Sequence, residues 1–214
     1  MTGNTAMRKI TLALLSLALL MSCSTYSITT QTDNSAALKK MKNAALVVRI
    51  SKNAKFTRDE HLKNISGWLA GSTQTRPLSL VSECDDSLCS FASDEDRLYQ
   101  ISDGGDFLKY KSAGILNLYI RRNEAGLKKI LDDTNCDGIF IYEVYSILST
   151  EMLFIEFDSV LCALDKNLSV VYLDNQSNSF ESAEMNGQKM KIHLLDKISG
   201  RLMETLGDLR FVKQ

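Results

Sequence analysis

Two apolar runs, Ile139–Leu148 (IFIYEVYSIL) and Met152–Leu164 (MLFIEFDSVLCAL), decide the class of fold. Both are rich in β-branched and aromatic residues and are apolar on both alternating faces, as expected for strands of a sheet that is covered on both sides. Only the three residues 149–151 separate the runs. We therefore predict that they pair as an antiparallel hairpin.

The segments around this hairpin alternate between helical and strand patterns. Before it, the chain predicts a strand at 44–51, a helix from Thr57 to Gly71, a short strand at 78–81 and a helix between Asn123 and Asp133. After it, strands are predicted at 170–173, 190–195 and 201–206. This order predicts an α+β fold class with a mixed or antiparallel sheet, about two packed helices and a carboxyl-terminal half rich in β-hairpins.

The first of these helices has the clearest local signals. Thr57 and Glu60 form a T-x-x-E capping box at its start. Trp68 lies in one apolar stripe with Ile65 and Leu69. We therefore predict that Trp68 packs in the core instead of forming a ligand platform.

Length and composition limit the class of protein. The chain has 214 residues, of which 44% are hydrophobic and 24% are charged, and its formal net charge is −1. The length suits one globular domain with attachments, and the apolar fraction argues against general disorder. The near-neutral charge does not indicate a nucleic-acid partner.

The first 22 residues have the pattern of a secretory signal. Arg8 and Lys9 precede an uncharged, leucine-rich run at Ile10–Leu20, which is shorter than the ~20 apolar residues of a membrane-spanning helix. The next residues, Leu20–Cys23 (LMSC), resemble the lipobox of bacterial lipoproteins. The resemblance implies cleavage before Cys23, a diacylglyceryl thioether on its sulfur, and acylation of its new amine by a fatty acid such as palmitate.

We predict three parts: a signal peptide at 1–22, a lipidated Cys23 with a flexible tether to residue 43, and a single globular αβ domain at 44–214. The stretch 24–35 is polar and lacks apolar periodicity, as linkers do. Ser24 resembles the residue that sorts lipoproteins to the outer membrane. We therefore expect a lipid-anchored protein of the bacterial envelope, on the periplasmic or the surface face.

The order of elements also resembles the αβ core of two groups of envelope proteins, the amino-terminal domain of TolB and the curli-secretion lipoproteins. A helix runs into Asn135–Gly138 (NCDG) and then into a strand, and Asp137 matches the Asp of the G-A-D transition in those families. Leu195–Gly200 (LDKISG) is similar to their turn motif. The resemblance implies a domain that takes part in envelope assembly.

Once the lipobox cysteine is set aside, four cysteines remain in an exported chain, where disulfides are stable. If the hairpin pairs around residue 149, Cys136 lies directly opposite Cys162, within the range of a disulfide. Cys84 then pairs with Cys89 by elimination. A zinc site of four cysteines is the weaker alternative, because the spacing lacks paired C-x₂-C motifs.

The sequence contains none of the common phosphate-binding, nucleotide-binding or hydrolase motifs. We predict no catalytic residue, no metal and no cofactor. His61 is expected at the helix surface and His193 in a strand. Glu143, Glu156 and Asp158 are carboxylates on otherwise apolar strands, and the predicted register brings no two of them together.

These observations leave two hypotheses for function. The leading one is a non-enzymatic envelope lipoprotein that binds or helps to assemble another envelope protein, or binds an extracellular ligand. The alternative is an envelope hydrolase with a dispersed active site. A deep pocket that gathers Glu143, Glu156 or Asp158 with His193 favours the enzyme, whereas a shallow face with exposed apolar residues favours binding.

Overall fold

The structure is a computed structural model that describes residues 28–33, 35–50, 56–85, 88, 119–149, 154–181 and 187–213. The predicted signal segment, Cys23 and Cys89 lie outside the described residues.

The described chain alternates between strands and helices. The strands are β1 (Ile28–Asp33), β2 (Ala44–Ile50), β3 (Thr73–Gln74), β4 (Leu78–Leu80), β5 (Gly138–Ser149), β6 (Phe154–Asp165), β7 (Val170–Glu181) and β8 (Val212–Lys213). The helices are α1 (Ser35–Lys40), α2 (Arg58–Gly71), α3 (Glu124–Thr134) and α4 (Gly187–Asp208). A helical turn at 119–122 precedes α3.

Six of these strands form one mixed sheet in the order β1-β7-β6-β5-β2-β4. β2 is parallel to both β4 and β5, whereas β5, β6, β7 and β1 pair antiparallel. β3 and β8 form a separate antiparallel pair. The predicted α+β class is confirmed, with a mixed sheet and hairpins in the carboxyl-terminal half.

The predicted hairpin is present, but its register differs from the prediction. Ile141, and not Cys136, lies opposite Cys162. The centre of the pairing lies beyond Ser149, because β5 extends to Ser149 while β6 does not begin until Phe154. A β-bulge between Val144 and Ser146 shifts the register once more. The predicted register is therefore wrong.

The predicted strands at 190–195 and 201–206 are also wrong, because the single helix α4 spans both. Its buried apolar residues recur at helical spacing, and they are Leu194, Leu195, Ile198, Leu202, Met203 and Leu206. Short apolar runs fit a strand or a buried helix face equally well, so length has to decide between them. Gly200 lies inside the helix and does not end it, as a glycine in a strong apolar stripe need not.

Two elements lie in residues that were expected to form the tether. Residues 28–33 form β1, which pairs with β7 at the edge of the sheet, and residues 35–40 form α1. β7 itself is longer than the predicted strand at 170–173, and it continues through polar residues to Glu181. A polar sequence can form a strand when a neighbouring strand takes up its backbone hydrogen bonds, as β1 and β6 do here.

An apolar core lies on each face of the sheet. On one face α2 and α4 cover residues such as Leu46, Phe140 and Phe157. On the other face α3 covers residues such as Ile139 and Ile141. The fold therefore has three layers, with α1, α2 and α4 on one side of the sheet and α3 on the other.

None of the helices in the described parts of the chain is long and apolar enough to cross a membrane.

Candidate functional site

Helices α2 and α4 lie side by side on one face of the sheet and run in the same direction. Three contacts at successive turns join them: Glu60 with Lys191, Asn64 with Asp196, and Trp68 with Gly200. Between the helices an open groove of about 1020 Å³ extends from Glu60 to Lys213. We call it the α2/α4 groove.

Glu60 lies at one end of the α2/α4 groove, and the capping box holds its side chain in place. Its carboxylate accepts a hydrogen bond from the Thr57 backbone N–H at 2.8 Å, and the Thr57 hydroxyl accepts one from the Glu60 N–H at 3.2 Å. The other carboxylate oxygen lies 2.5 Å from Lys191 Nζ. The bond from Lys191 and, after it, that from Thr57 lower the pKa of Glu60. One side chain thus caps α2 and ties it to α4.

Two large hydrophobic side chains are exposed in the groove. Trp68 is 41% exposed and Ile192 is 50% exposed, and they are the exposed large hydrophobics of the described residues. The prediction that Trp68 is buried is wrong. Its indole ring lies 3.8 Å from the position that a Cβ atom on Gly200 would occupy, so it rests on the surface of α4 instead of entering the core.

A smaller cavity of about 430 Å³ adjoins the groove between α4 and the strands β6 and β7. Trp68 and Gly200 line both spaces, so the two are neighbours at that point. Phe157 and Phe180 form an apolar wall, and the His193 ring lies 5.3 Å from the Phe180 ring. The cavity is an aromatic-lined space beside the groove.

A buried polar cluster lies beside this cavity. Gln176 donates from Nε2 to the Asp174 carboxylate and to Thr205 Oγ1 at 3.1 Å, and its Oε1 accepts from Arg201 Nε at 2.7 Å. Burial raises the pKa of Asp174, against the opposing effects of the Gln176 bond and the Arg201 charge. The cluster fixes the position of Arg201, which lines the cavity.

A second buried polar group lies on the opposite face of the sheet. Arg49 on β2 and Glu143 on β5 are direct neighbours in the parallel register, and Arg49 Nη1 lies 3.5 Å from Glu143 Oε2. The guanidinium carbon of Arg49 lies 4.3 Å from the centre of the Tyr119 ring. Burial raises the pKa of Tyr119 to about 12, so its hydroxyl stays protonated beside the ion pair. The group is an internal ion pair and not an open site.

The structure separates the carboxylates from His193. Glu143 alternates with the core residues Tyr142 and Val144, and Glu156 and Asp158 alternate with core residues of β6, so all three carboxylates lie on the α3 side of the sheet. His193 is on α4, on the other side, and not in a strand as predicted. The sheet therefore lies between these carboxylates and His193.

His61 was predicted at the surface and is instead fully buried. Its ring lies 5.4 Å from the Phe56 ring and 6.0 Å from the Tyr142 ring. Within the described residues neither ring nitrogen has a hydrogen-bond partner, and burial lowers the pKa of His61 to about 3. It is a neutral core histidine.

The described cysteines differ from the predicted pairs. Cys136 and Cys162 are both free, buried thiols, so the predicted bridge between them is not present. The reason is the register, which places Ile141 opposite Cys162. Cys84 is disulfide-bonded, and because Cys89 lies outside the described residues, their pairing stays a prediction.

Sequence reasoning missed the groove because its components do not form a motif. Trp68 and Ile192 belong to two helices that are far apart in the chain, and α4 was predicted as two strands. No cluster of three or more His, Cys, Asp or Glu side chains that could hold a metal ion occurs among the described residues. The helical spacing of Leu194, Ile198 and Leu202 was the one signal that pointed to α4.

No protein-family model and no curated protein sequence matches the chain. Similarity to known proteins is found in the comparison of structures. The chain is similar to the PelC dodecamer from Paraburkholderia phytofirmans, with a TM-score of 0.47 and 11% identity over 88% of this chain and 100% of that chain. A variant of that dodecamer gives a TM-score of 0.45 and 9% identity, over 88% of this chain and 99% of that one. The chain is also similar to lipoprotein GNA1162 from Neisseria meningitidis, with a TM-score of 0.34 and 10% identity over 76% of this chain and 99% of that chain.

Proposed function

We propose that the chain is a lipid-anchored, non-enzymatic protein of the bacterial cell envelope that binds another envelope protein through the α2/α4 groove. The observation that carries this proposal is the exposure of Trp68, the single tryptophan of the chain, in a groove of about 1020 Å³. Exposed apolar side chains with a polar rim are typical of protein interaction sites, and tryptophan is enriched among the residues that dominate binding energy.

The rim of the groove suits a polypeptide better than a single charged ligand. Lys63 and Lys213 lie along it together with Asp196 and Glu204, so both signs of charge are present. A peptide offers backbone donors and acceptors as well as side chains of either sign. The open shape of the groove also differs from the enclosed pockets that hold small molecules.

The separation of Glu143, Glu156 and Asp158 from His193 supports a binding role over a hydrolase built from those four residues. General acid–base catalysis needs the participating side chains within hydrogen-bond reach of one substrate. The candidate carboxylates lie on the α3 side of the sheet, whereas His193 lines the cavity on the α4 side. The only described histidine besides His193 is His61, which is buried and neutral.

The lipid anchor rests on the lipobox at Leu20–Cys23. Two or more acyl chains hold a protein on a bilayer nearly permanently, because each buried CH₂ contributes about 0.8 kcal/mol. Metabolic labelling with a palmitate analogue tests this step. We expect label on the wild-type protein and none on Cys23→Ala, and equal labelling of both would refute the anchor.

Affinity capture of the mature lipidated protein from its native envelope tests the binding role. Three variants are compared with wild type: Trp68→Ala in the groove, Lys129→Ala on exposed α3 as the matched surface control, and Cys23→Ala as the anchor control. We expect a partner that is enriched with wild type and Lys129→Ala but is reduced about tenfold or more with Trp68→Ala, since loss of a central tryptophan typically costs about 2 kcal/mol or more.

Two outcomes would contradict the proposal. If no protein is enriched over the Cys23→Ala sample and an unrelated lipoprotein, the binding role fails. If Trp68→Ala and Lys129→Ala capture the same partner equally, the groove is not the binding site.

A further inference from the structure

The amino-terminal strand determines where the chain leaves the domain. β1 pairs antiparallel with β7, with Ile28 opposite Ser177 and Asp33 opposite Tyr172. The chain that precedes Ile28 therefore leaves the sheet at the end where β7 finishes, at Glu181.

That same end of the molecule carries the first turns of α4. The rings of Phe180, near the end of β7, and His193, in the second turn of α4, are 5.3 Å apart. Ile192, next to His193, is half exposed, and Lys189 is exposed one turn earlier. Between Gly187 and Leu195 the charged residues are Lys189 and Lys191, and Glu181 precedes them at the end of β7. We call this part of the surface, defined by Lys189 and Ile192, the β7/α4 end.

The predicted lipid site lies close to this end in chain length. Five residue steps separate Cys23 from Ile28. A fully extended chain spans at most ~3.6 Å per residue, so Cys23 lies within about 18 Å of Ile28. From Ser177, the partner of Ile28, only three residues of β7 lead to Phe180, a distance of about 10 Å at roughly 3.3 Å per residue.

We propose that the β7/α4 end rests on the surface of the bilayer that holds the anchor, with Ile192 in the headgroup boundary and Lys189 against anionic headgroups. The inference rests on the proposed lipidation of Cys23. A short tether holds this end at the membrane, where an exposed apolar side chain can enter the headgroup boundary and a neighbouring lysine can bind anionic headgroups. Lys191 is engaged with Glu60, so Lys189 supplies the cation that faces the lipid.

This orientation gives the α2/α4 groove a direction. Ile192 and Glu60 line its membrane-proximal part, and Lys213 with Gly71 lines its far end. α2 has 14 residues, which at about 1.5 Å per residue makes the groove about 20 Å long. A partner that binds along it therefore lies upright on the bilayer, with one end at the headgroups.

The single tryptophan of the chain makes the orientation measurable by fluorescence. The lipidated protein is reconstituted in vesicles of phosphatidylethanolamine and phosphatidylglycerol that contain a headgroup-proximal nitroxide lipid as quencher. Trp68→Phe with Ile192→Trp moves the tryptophan to the β7/α4 end. Trp68→Phe with Lys213→Trp is the matched control, because it places the tryptophan at an exposed site at the far end of the same groove.

We expect quenching of the Ile192→Trp protein to be at least about twofold stronger than that of the Lys213→Trp protein, since the first site lies in the headgroup boundary and the second about 20 Å above it. Equal quenching, or stronger quenching at position 213, would overturn the inference. Circular dichroism identical to wild type shows that both variants are folded.

The two proposals fail in different ways. If palmitate labelling shows no lipid on Cys23, the proposed anchor fails and no orientation can be set by it. If Cys23 is lipidated and partner capture depends on Trp68, but quenching does not favour position 192, the orientation alone is wrong.

Discussion

Gly138 is the residue with the least room for substitution among the glycines of the described chain. Asn135, in the left-handed conformation at φ 50°, ends α3 and turns the chain toward β5. A Cβ atom on Gly138 would collide with the backbone carbonyl oxygen of Leu164 and with the terminal methyl of Met41. The position matters because the obstacle is partly backbone, which cannot rotate away.

We expect Gly138→Ala to lower the free energy of unfolding by about 1–3 kcal/mol, the usual cost of overpacking a core. Gly67→Ala is the matched control, because nothing lies within 4 Å of its added Cβ and the residue is inside α2. That control is expected to gain about 0.5–1 kcal/mol from helix propensity. Urea denaturation measures both, and a neutral Gly138→Ala would show that β6 shifts freely.

His61 makes stability depend on pH. Its pKa falls from 6.5 to about 3 on folding, so the unfolded chain binds the proton that the folded chain excludes. Stability from this group is complete above pH 6.5 and is lost as the pH falls toward 3. Between about pH 7.5 and pH 5 we expect a loss of about 2 kcal/mol in the free energy of unfolding, at about 1.4 kcal/mol per pH unit below the unfolded pKa.

His61→Phe tests this assignment, because phenylalanine fills the space between Phe56 and Tyr142 without a titrating group. The loss over the same pH interval should shrink by about 2 kcal/mol in the variant, in line with the linkage of proton binding to folding. The same pH dependence in both proteins would show that another group causes it.

The sequence predicted the capping box at the start of α2, but it did not predict that the next residue, His61, is buried. Thr57 and Glu60 were recognisable because a capping box is a local pattern of two residues in the same turn. His61 was not, because its burial depends on Tyr142, a residue of β5 that the chain places against it only after folding. Local hydrogen bonding is readable in a sequence, whereas burial is decided by distant elements.

At the scale of elements, α4 shows how the spacing of apolar residues can be assigned to the wrong kind of secondary structure. Strand and helix predictions for 190–206 both place apolar residues inside, and the two differ in whether Gly200 is a turn or a helix residue. The groove depends on this choice, since Trp68 rests on Gly200 and Asn64 binds Asp196. By contrast, β2, α2, β5 and β6 were predicted correctly in kind, because their patterns are long and their ends are marked.

Arg76 joins the ends of two helices. Its guanidinium donates to the carbonyl oxygens of Leu38 and Met41 at the end of α1 and to those of Leu209 and Arg210 just after α4. The guanidinium carbon also lies 4.0 Å from the centre of the Phe211 ring. Of these four carbonyls, that of Leu38 lies in the last turn of α1, and the other three follow α1 and α4 directly.

We expect Arg76→Lys to lower the free energy of unfolding by about 2 kcal/mol, because a single ammonium cannot reproduce the planar fork or the stacking. Arg121→Lys, at an exposed position in the helical turn at 119–122, is the control and should stay within about 0.5 kcal/mol of wild type. Chemical denaturation compares them, and equal effects would mean that Arg76 does not hold the two helix ends together.

At the scale of the whole molecule, Cys136 and Cys162 provide a test of the register between β5 and β6. Cys136 and Cys162 are free and buried, and burial raises the pKa of the Cys162 thiol. We expect a thiol reagent to label neither residue in the folded protein and both in denaturant without reductant, since the thiolate is the reactive form. A peptide that links 136 to 162 under non-reducing conditions would restore the hairpin register predicted from the sequence.

The proposed lipid anchor and the proposed binding groove differ in how far the sequence predicts them. The lipobox at Leu20–Cys23 is contiguous, so neighbouring residues alone are enough to predict the anchor. The α2/α4 groove brings Trp68 next to Gly200, which is 132 positions later in the chain, and no spacing rule connects them. The sequences of β5 and β6 were enough to predict the class of the sheet. They were not enough to predict which distant elements pack against it.

The place of β1 at the edge of the sheet has a mechanical consequence. A pull on the amino-terminal chain acts along the axis of β1, and the bonds of the six paired positions between β1 and β7 lie across that axis. Tension therefore loads these bonds together in shear instead of opening them one at a time. With the proposed lipid on Cys23, a force between the bilayer and the domain would have to break this whole set of bonds at once before β1 could leave the sheet.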